Sequence, residues 1–326
     1  MLITRTPLRV SIGGGGTDLP SYYRQYGGFV ISAAINKYLF IGLNRTYFDG
    51  YLVKYSRYEE RRHVDDIEHP IVREVFRRHD VPASMEMVSL ADIPAGTGLG
   101  SSGAFTVGLL RAVYALKREH VTAGALAEEA SHIEIDVLGE PVGKQDQYIA
   151  SFGGLMCFEF EADDRVTVSP LAVSQATLHE LEERLLLFFT GYSRSAGGIL
   201  ADQHSRSAGR DASMLANLQE TKELGLRIRA ALEADRTEDF GHMLHEHWER
   251  KRARSKGMSN DRIDRWYRSA LESGAIGGKL VGAGSGGFLM FLAHDPAALR
   301  AAMAAEGLKE TRFSFDLDGS SVLVRD

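Results

Sequence analysis

Ile93-Pro-Ala-Gly-Thr-Gly-Leu-Gly-Ser-Ser-Gly103 sets four glycines in eight residues just ahead of an apolar helical run. Glycine lets the backbone turn tightly and brings its N–H groups close to a ligand, and Ser101 and Ser102 add hydroxyls where a helix begins. Phe105, Val107, Leu109, Leu110, Val113, Tyr114 and Leu116 fit a largely buried helix running to about Lys117. The glycines therefore precede a helix N-terminus, where backbone donors and the macrodipole both favour an anion such as a phosphate chain.

Spacing separates three readings of this loop. A Walker-type loop needs Lys and then Ser or Thr after its last glycine, but Gly103 is followed by Ala104 and Phe105. Gly98-Leu-Gly100-Ser-Ser-Gly103 does match the dinucleotide fingerprint, with a strand at Met85–Leu90 to precede it. That fingerprint also needs a second strand ending in an acid about 20 residues on, and Thr122 to Val137 reads as another helix instead. The loop by itself leaves a ligand-free surface turn as the third reading.

A chain of 326 residues, 44% hydrophobic and 25% charged, has the composition of an ordinary globular protein and the length for two cores. A net charge of −6 and a pI near 6.0 argue against a dedicated nucleic-acid binder. The single cysteine, Cys157, excludes an intrachain disulfide and a cysteine-rich zinc site, and Leu155-Met-Cys-Phe158 reads as a buried strand. The N-terminus lacks a signal-peptide core and no run of 18 apolar residues occurs, so the expectation is a cytoplasmic protein without a membrane partner.

Leu2 to Ile12 reads as a strand interrupted at Pro7 and ended by Gly13-Gly-Gly-Gly16. Thr17-Asp18-Leu19-Pro20 has the pattern of a helix start, with Asp18 as its N-cap. Gly28 to Asn44 and Tyr51 to Ser56 read as strands, Glu59 to His69 as a charged loop and Ile71 to His79 as a short helix. Strands followed by helices give the first half an α+β arrangement. Asp146, in Val142-Gly-Lys-Gln-Asp-Gln147, is either a helix-start acid or a buried functional carboxylate. A domain boundary is expected near Ala176, giving 1–176 and 177–326, ahead of the apolar strand Leu185 to Thr190.

In the second half, Gly191 to Gly198 is a loop presenting Arg194, and Asp211 to Ala234 and Thr237 to Arg252 are helical patterns. Ser259 is the expected cap of a further helix ending at Gly274, and Phe313 to Val324 reads as a hairpin turned at Asp318-Gly319. His242, His245 and His247 lack metalloprotease spacing, because Glu249 stands where a second histidine would be required. Arg250-Lys-Arg-Ala-Arg254 is basic enough to attract phosphate, but Glu246 and Glu249 lie at pairing distance, which favours a solvated face.

Three glycine-bearing stretches in one chain are far more specific than any one of them. Pro7-Leu-Arg9-Val through Gly16-Thr-Asp18, Pro94-Ala-Gly-Thr-Gly-Leu-Gly-Ser-Ser-Gly103 and Lys279-Leu-Val-Gly-Ala-Gly-Ser-Gly-Gly287 resemble, in order and spacing, the three motifs of the GHMP kinases. Ser11 through Asp18, Glu134 through Gln147 and His245-Glu-His-Trp-Glu249 resemble most the D-glycero-D-manno-heptose 7-phosphate kinases of that superfamily. Galactokinases carry Glu-His before Thr-Asp, whereas this chain has Gly15-Gly16, which argues against galactose.

The resemblance implies a two-domain α+β fold, with an N-terminal domain like the second domain of ribosomal protein S5 and a ferredoxin-like C-terminal domain. It implies ATP and Mg²⁺, and transfer to the anomeric hydroxyl of heptose 7-phosphate for nucleotide-activated heptose synthesis, with a free sugar such as fucose or mannose as the alternative acceptor. By the same resemblance Asp146 is the base and Arg9 the cation beside the transferred phosphate, while Ser102 and Glu134 hold the metal. Pro94, Gly96, Gly98, Leu99, Gly100, Ser101, Ser102 and Gly103 would wrap ATP. Gly15, Gly16, Thr17, Asp18, Gly284 and Ser285 would meet the acceptor, which replaces the N-cap reading of Asp18. For the acceptor's 7-phosphate, Arg194, Lys279 and the Arg250–Lys256 run are unranked candidates.

Overall fold

Pro7 cannot donate to a ladder, yet the first strand, β1 (Leu2–Gly13), runs unbroken through it. The proline appears instead as a shift of register against β2 (Gly28–Arg45) between Pro7 and Leu8. This is a computed structural model that describes residues 1–191, 197–255, 257–282, 284 and 286–325.

The long β2 is shared between partners. Its first half, from Gly28 to Ala33, pairs with β6 (Leu155–Phe160), and its second half, from Leu39 to Arg45, pairs with β5 (Met85–Ala91). With β3 (Tyr51–Lys54), β4 (Tyr58–Arg61), β7 (Val166–Pro170) and β12 (Ser321–Arg325) they form one eight-stranded sheet. A second sheet takes β8 (Leu185–Phe189), β9 (Ala275–Leu280), β10 (Phe288–Ala293) and β11 (Lys309–Glu310) in the order β11-β8-β10-β9. That order, 4-1-3-2 in chain sequence, is the split βαβ arrangement of a ferredoxin-like unit.

The helices are α1 (Pro20–Tyr26), α2 (Pro70–Arg78), α3 (Ser101–Lys117), α4 (Ala123–His132), α5 (Gln145–Phe152), α6 (Gln175–Arg184), α7 (Gly197–Ala208), α8 (Ala212–Leu232), α9 (Thr237–Arg254), α10 (Asp261–Glu272) and α11 (Pro296–Ala305). The α3 helix is apolar nearly all round and is buried against β1 and β2, as its sequence requires. Helix α9 lies on β9 and β10, and α8 touches α9 as well as β1 and β2, so it ties the two sheets together. Residue 176 falls in the first turn of α6, where the chain passes from one sheet to the other.

Four local expectations are corrected. The segment from Glu59 to His69 is not all loop: Tyr58–Arg61 pairs with β3, and Val64–Asp66 is a 3₁₀ turn. The helix after Thr122 changes at Ile133 to a π turn, Ile133–Val137. Asn260, not Ser259, caps α10, because its side chain takes the N–H groups of Arg262 and Ile263. The C-terminal stretch is no hairpin. Phe315 bridges to Ile35 and β12 pairs with β1, because Asp316 takes the Gly319 N–H and turns the chain onto the first sheet.

Candidate active site

The glycine loop leaves β5 and enters α3 through Gly100, whose left-handed φ of +77° leaves the helix without a side-chain cap. The first N–H groups of α3 are thus open to an anion, and Gly96, Gly98, Gly100, Ser101 and Ser102 line a cleft of about 290 Å³. Leu99 is fully buried and its carbonyl takes the Arg9 N–H at 3.0 Å, which pins the loop to β1. Across the cleft, the turn after β9 presses on the loop. A Cβ at Gly98 would lie 2.6 Å from Val281 O and one at Gly282 would lie 2.4 Å from Gly98 Cα, so only glycine allows this backbone-on-backbone contact.

Arg9 comes from the middle of β1 and Asp146 from the first turn of α5. Arg9 Nε and Nη2 both lie 2.7 Å from Asp146 Oδ1, and Arg9 Nη1 donates to Gly98 O. The arginine therefore holds the carboxylate and the loop together, and Asp146 keeps its second oxygen for the cleft. Gly103 is a glycine for the same packing reason, since a Cβ there would lie 2.7 Å from Asp146 Cβ.

Ser102 Oγ donates to Glu134 Oε2 at 2.7 Å, and Gln147 Nε2 donates to Glu134 Oε1 at 3.0 Å. Glu134 stands in the π turn and is 1% exposed, and burial pushes its carboxyl above the usual range against the pull of these hydrogen bonds. Among the described residues no three acidic, histidine or cysteine side chains gather into a metal cage. A hydroxyl and one carboxylate fit a hard cation that arrives with phosphate oxygens, which is how Mg²⁺ is ordinarily held.

Asp18 is not a helix cap. Helix α1 starts at Pro20 with Leu19 before it, and Asp18 Oδ1 and Oδ2 take the N–H groups of Gly16 (3.0 Å) and Gln145 (3.2 Å). Burial first, and then the charge of Asp146, raises its pKa. Gly143 lies so close that a Cβ would sit 2.0 Å from Asp18 Oδ2. The tetraglycine turn behind it is held by Thr17, whose Oγ1 donates to Gly14 O, and by Gln203 and Arg254, which donate to Gly16 O and Gly15 O.

The remaining wall is basic and comes from α9 and β9. His247, Lys251, Arg254 and Lys279 are each at least nine-tenths buried and all line the cleft. Lys279 Nζ donates to Ile12 O (3.0 Å), and Lys251 Nζ donates to Leu280 O (2.8 Å) and Gly282 O. Burial lowers Lys251 to about 7 and Arg254 to about 10, and takes His247 and Lys279 well below their usual values.

Arg9, Gly15, Gly16, Asp18, Gly96, Gly98, Gly100, Ser101, Ser102, Asp146 and Gly284 thus face one cleft. Thr17, Leu99, Gly103 and Glu134 stand behind that wall and shape it, and Pro94 is exposed and accepts from Thr97 Oγ1. Ser285, Arg194 and Lys256 lie outside the described residues. The solvated reading of the basic run is half wrong: Arg250 and Arg252 pair with Glu246, Glu220, Glu249 and Asp264 at the surface, whereas Lys251 and Arg254 turn inward. The histidines split likewise, with His242 exposed, His245 bonded to Tyr267 and His247 buried in the cleft wall. Helical spacing was the available signal, since 247, 251 and 254 share one face. Gln203 carried no signal in its local sequence, and Gln145 stood out only as one of the amides flanking Asp146.

Residues 68–154 match the GHMP kinase N-terminal domain and residues 228–308 the GHMP kinase C-terminal domain. The chain is 32% identical to the D-glycero-alpha-D-manno-heptose 7-phosphate kinase of Campylobacter jejuni over 90% of its own length and 89% of that protein's. It is 27% identical over 90% of its length to the L-fucokinase/L-fucose-1-P guanylyltransferase of Bacteroides fragilis, of which it spans 35%. A solved D-glycero-D-manno-heptose 1-phosphate kinase from Bacteroides thetaiotaomicron superposes over all of both chains with a TM-score of 0.81 at 25% identity. The chain belongs to the GHMP kinases, has their two-domain fold and is a phosphotransferase. Among the described residues no helix is long and apolar enough to cross a membrane.

Proposed function

We propose that this kinase uses ATP to phosphorylate the anomeric hydroxyl of D-glycero-D-manno-heptose 7-phosphate, giving heptose 1,7-bisphosphate. The observation that carries the chemistry is the Arg9–Asp146 pair at 2.7 Å beside the open N-terminus of α3. Similarity to the Campylobacter jejuni enzyme supports the acceptor. The names of the two heptose kinases differ in the numbered phosphate, 7 in one and 1 in the other, and transfer to carbon 1 of a 7-phosphate involves both positions.

Phosphoryl transfer asks for positioning and charge neutralisation more than covalent help. The N–H groups from Gly96 to Ser102 cradle the ATP phosphates, with the macrodipole of α3 behind them. Asp18 accepts from sugar hydroxyls with the lone pairs that Gly16 and Gln145 leave free. Asp146 takes the proton of the anomeric hydroxyl as its oxygen bonds to the γ-phosphorus and the bond to ADP breaks. Arg9 holds the Asp146 carboxylate in place by its guanidinium and faces the charge of the moving phosphoryl group. Ser102 and Glu134 would hold Mg²⁺, which supplies charge neutralisation between the phosphates when bound.

The test is ADP release from Mg²⁺-ATP with a panel of hexoses, heptoses and their terminal phosphates. Turnover is expected on heptose 7-phosphate. Turnover on none of them would overturn the kinase reading, and turnover on free sugars alone would overturn the acceptor.

A further inference from the structure

One feature of the cleft has no task in the chemistry above: three basic groups buried with no acid to neutralise them. His247 is 4% exposed, and neither of its ring nitrogens has a hydrogen-bond partner among the described residues. Lys251 and Lys279 are 7% and 2% exposed, and among the described residues no carboxylate lies within ion-pair distance of either. Among the described residues both amines donate only to backbone carbonyls, and their mutual repulsion, with that of Arg254 and Arg9, adds to the cost of burial. Buried cations are ordinarily paired, and an unpaired group at this depth points to a partner from outside the chain.

We propose that His247, Lys251 and Lys279 form the pocket for a phosphate monoester that the acceptor already carries, distinct from the phosphates of ATP. The inference rests on the sugar-phosphate kinase reading given above. Three observations support it. First, the cations come from α9 and β9, whereas the ATP phosphates have their own donors on the first sheet's side, the loop and the N-terminus of α3. Second, the basic cluster is fastened to both ends of the turn that leads to Asp18, through Lys279 to Ile12 O and Arg254 to Gly15 O. It therefore stands on the side of the acid that grips the sugar. Third, a phosphate monoester carries about −1.5 to −2 charges at pH 7 and three acceptor oxygens, which matches two ammonium groups and an unpartnered imidazole. Its arrival restores the charged forms that burial disfavours. A free sugar brings no such compensation, so the pocket selects phosphorylated acceptors.

The experiment compares kcat/KM for heptose 7-phosphate with that for free heptose, in the wild type and in Lys251→Met, Lys279→Met and His247→Gln, with KM for ATP measured throughout. Each lysine variant is expected to lose the preference for the phosphorylated sugar by about 100-fold and His247→Gln by about 10-fold, with KM for ATP nearly unchanged. Arg252→Gln, at the exposed pairs with Glu249 and Asp264, is expected to keep the full preference. His247→Gln keeps the question open to test if a lysine variant does not fold. An equal loss on both sugars, or a rise in KM for ATP of the same size, would overturn the inference, as would a wild type that prefers free sugars. A wild type that prefers a different sugar phosphate, and loses the preference in the variants, would support the pocket and overturn only the heptose assignment.

Discussion

The cleft has two walls built on opposite principles. One wall, from Gly96 to Ser102, contains no cationic side chain. It offers backbone N–H groups and a helix terminus, and it owes its shape to glycines pressed against the other sheet. The facing wall contains His247, Lys251, Arg254 and Lys279, basic side chains held at depth on a helix and a strand, where burial disfavours their charged forms. Neutral donors suit a group that must leave with its phosphates after every turnover, because they bind without a large change in charge. Buried cations suit discrimination, since an acceptor that fails to neutralise them leaves their cost standing.

The sharpest way to break this division is at the acid that stands between the walls. Asp146→Asn is expected to lower kcat by roughly 10²–10⁴-fold with KM for both substrates little changed, read by steady-state kinetics. A full kcat would remove Asp146 from the chemistry. The neutral wall is tested at its glycine contact. Gly98→Ala forces a Cβ toward Val281 O at a φ of +83° and is expected to cost about 2 kcal/mol in urea unfolding and to raise KM for ATP. Unchanged stability would mean that the two walls do not brace each other.

Glu134→Gln removes the charge behind Ser102 and is expected to raise the Mg²⁺ concentration for half-maximal rate by about 10-fold or more. An unaltered Mg²⁺ dependence would confine Glu134 to orienting the serine.

The smallest effect is a pH dependence of the charged wall. Burial pushes Lys251 from 10.5 down to about 7. Between those values the unfolded chain holds a proton that the folded chain has released, so the folded state gains stability as pH rises through that window. Lys251→Met removes the gain. The unfolding midpoint of wild type minus that of the variant should therefore climb from about pH 7 toward pH 10 without ligand, and a flat difference would mean that Lys251 is hydrated in the folded protein.

The two walls were unequally legible in the sequence. The glycine loop was visible locally but left three readings open, and the resemblance carried by three motifs together, not their spacing, implied both its role and the two-domain fold. Asp18 and Asp146 were ambiguous for a physical reason. An acid near a helix start satisfies backbone N–H groups in the same local pattern whether or not it faces a ligand, and the contacts across the chain, Asp18 to Gln145 and Asp146 to Arg9, leave no trace in that pattern. The charged wall was visible only as unranked candidates, Lys279 and the Arg250–Lys256 run, without His247 among them. Lys251 and Arg254 alternate along the chain with Arg250 and Arg252, which do pair at the surface, and Lys279 is separated from them by α10. The C-terminal strand was misread because Phe313 to Val324 has the alternation of a hairpin, while its partner, β1, lies at the other end of the chain.

The proposed reaction places a phosphoryl group on the carbon-1 hydroxyl of a sugar that already carries a phosphate. Phosphorus NMR of the product from Mg²⁺-ATP and heptose 7-phosphate tests it most directly. Two sugar phosphorus signals are expected, the original ester retained and a new one coupled to the anomeric proton. A new signal coupled to any other carbon's proton, or no new sugar signal while the substrate stays intact, would contradict it.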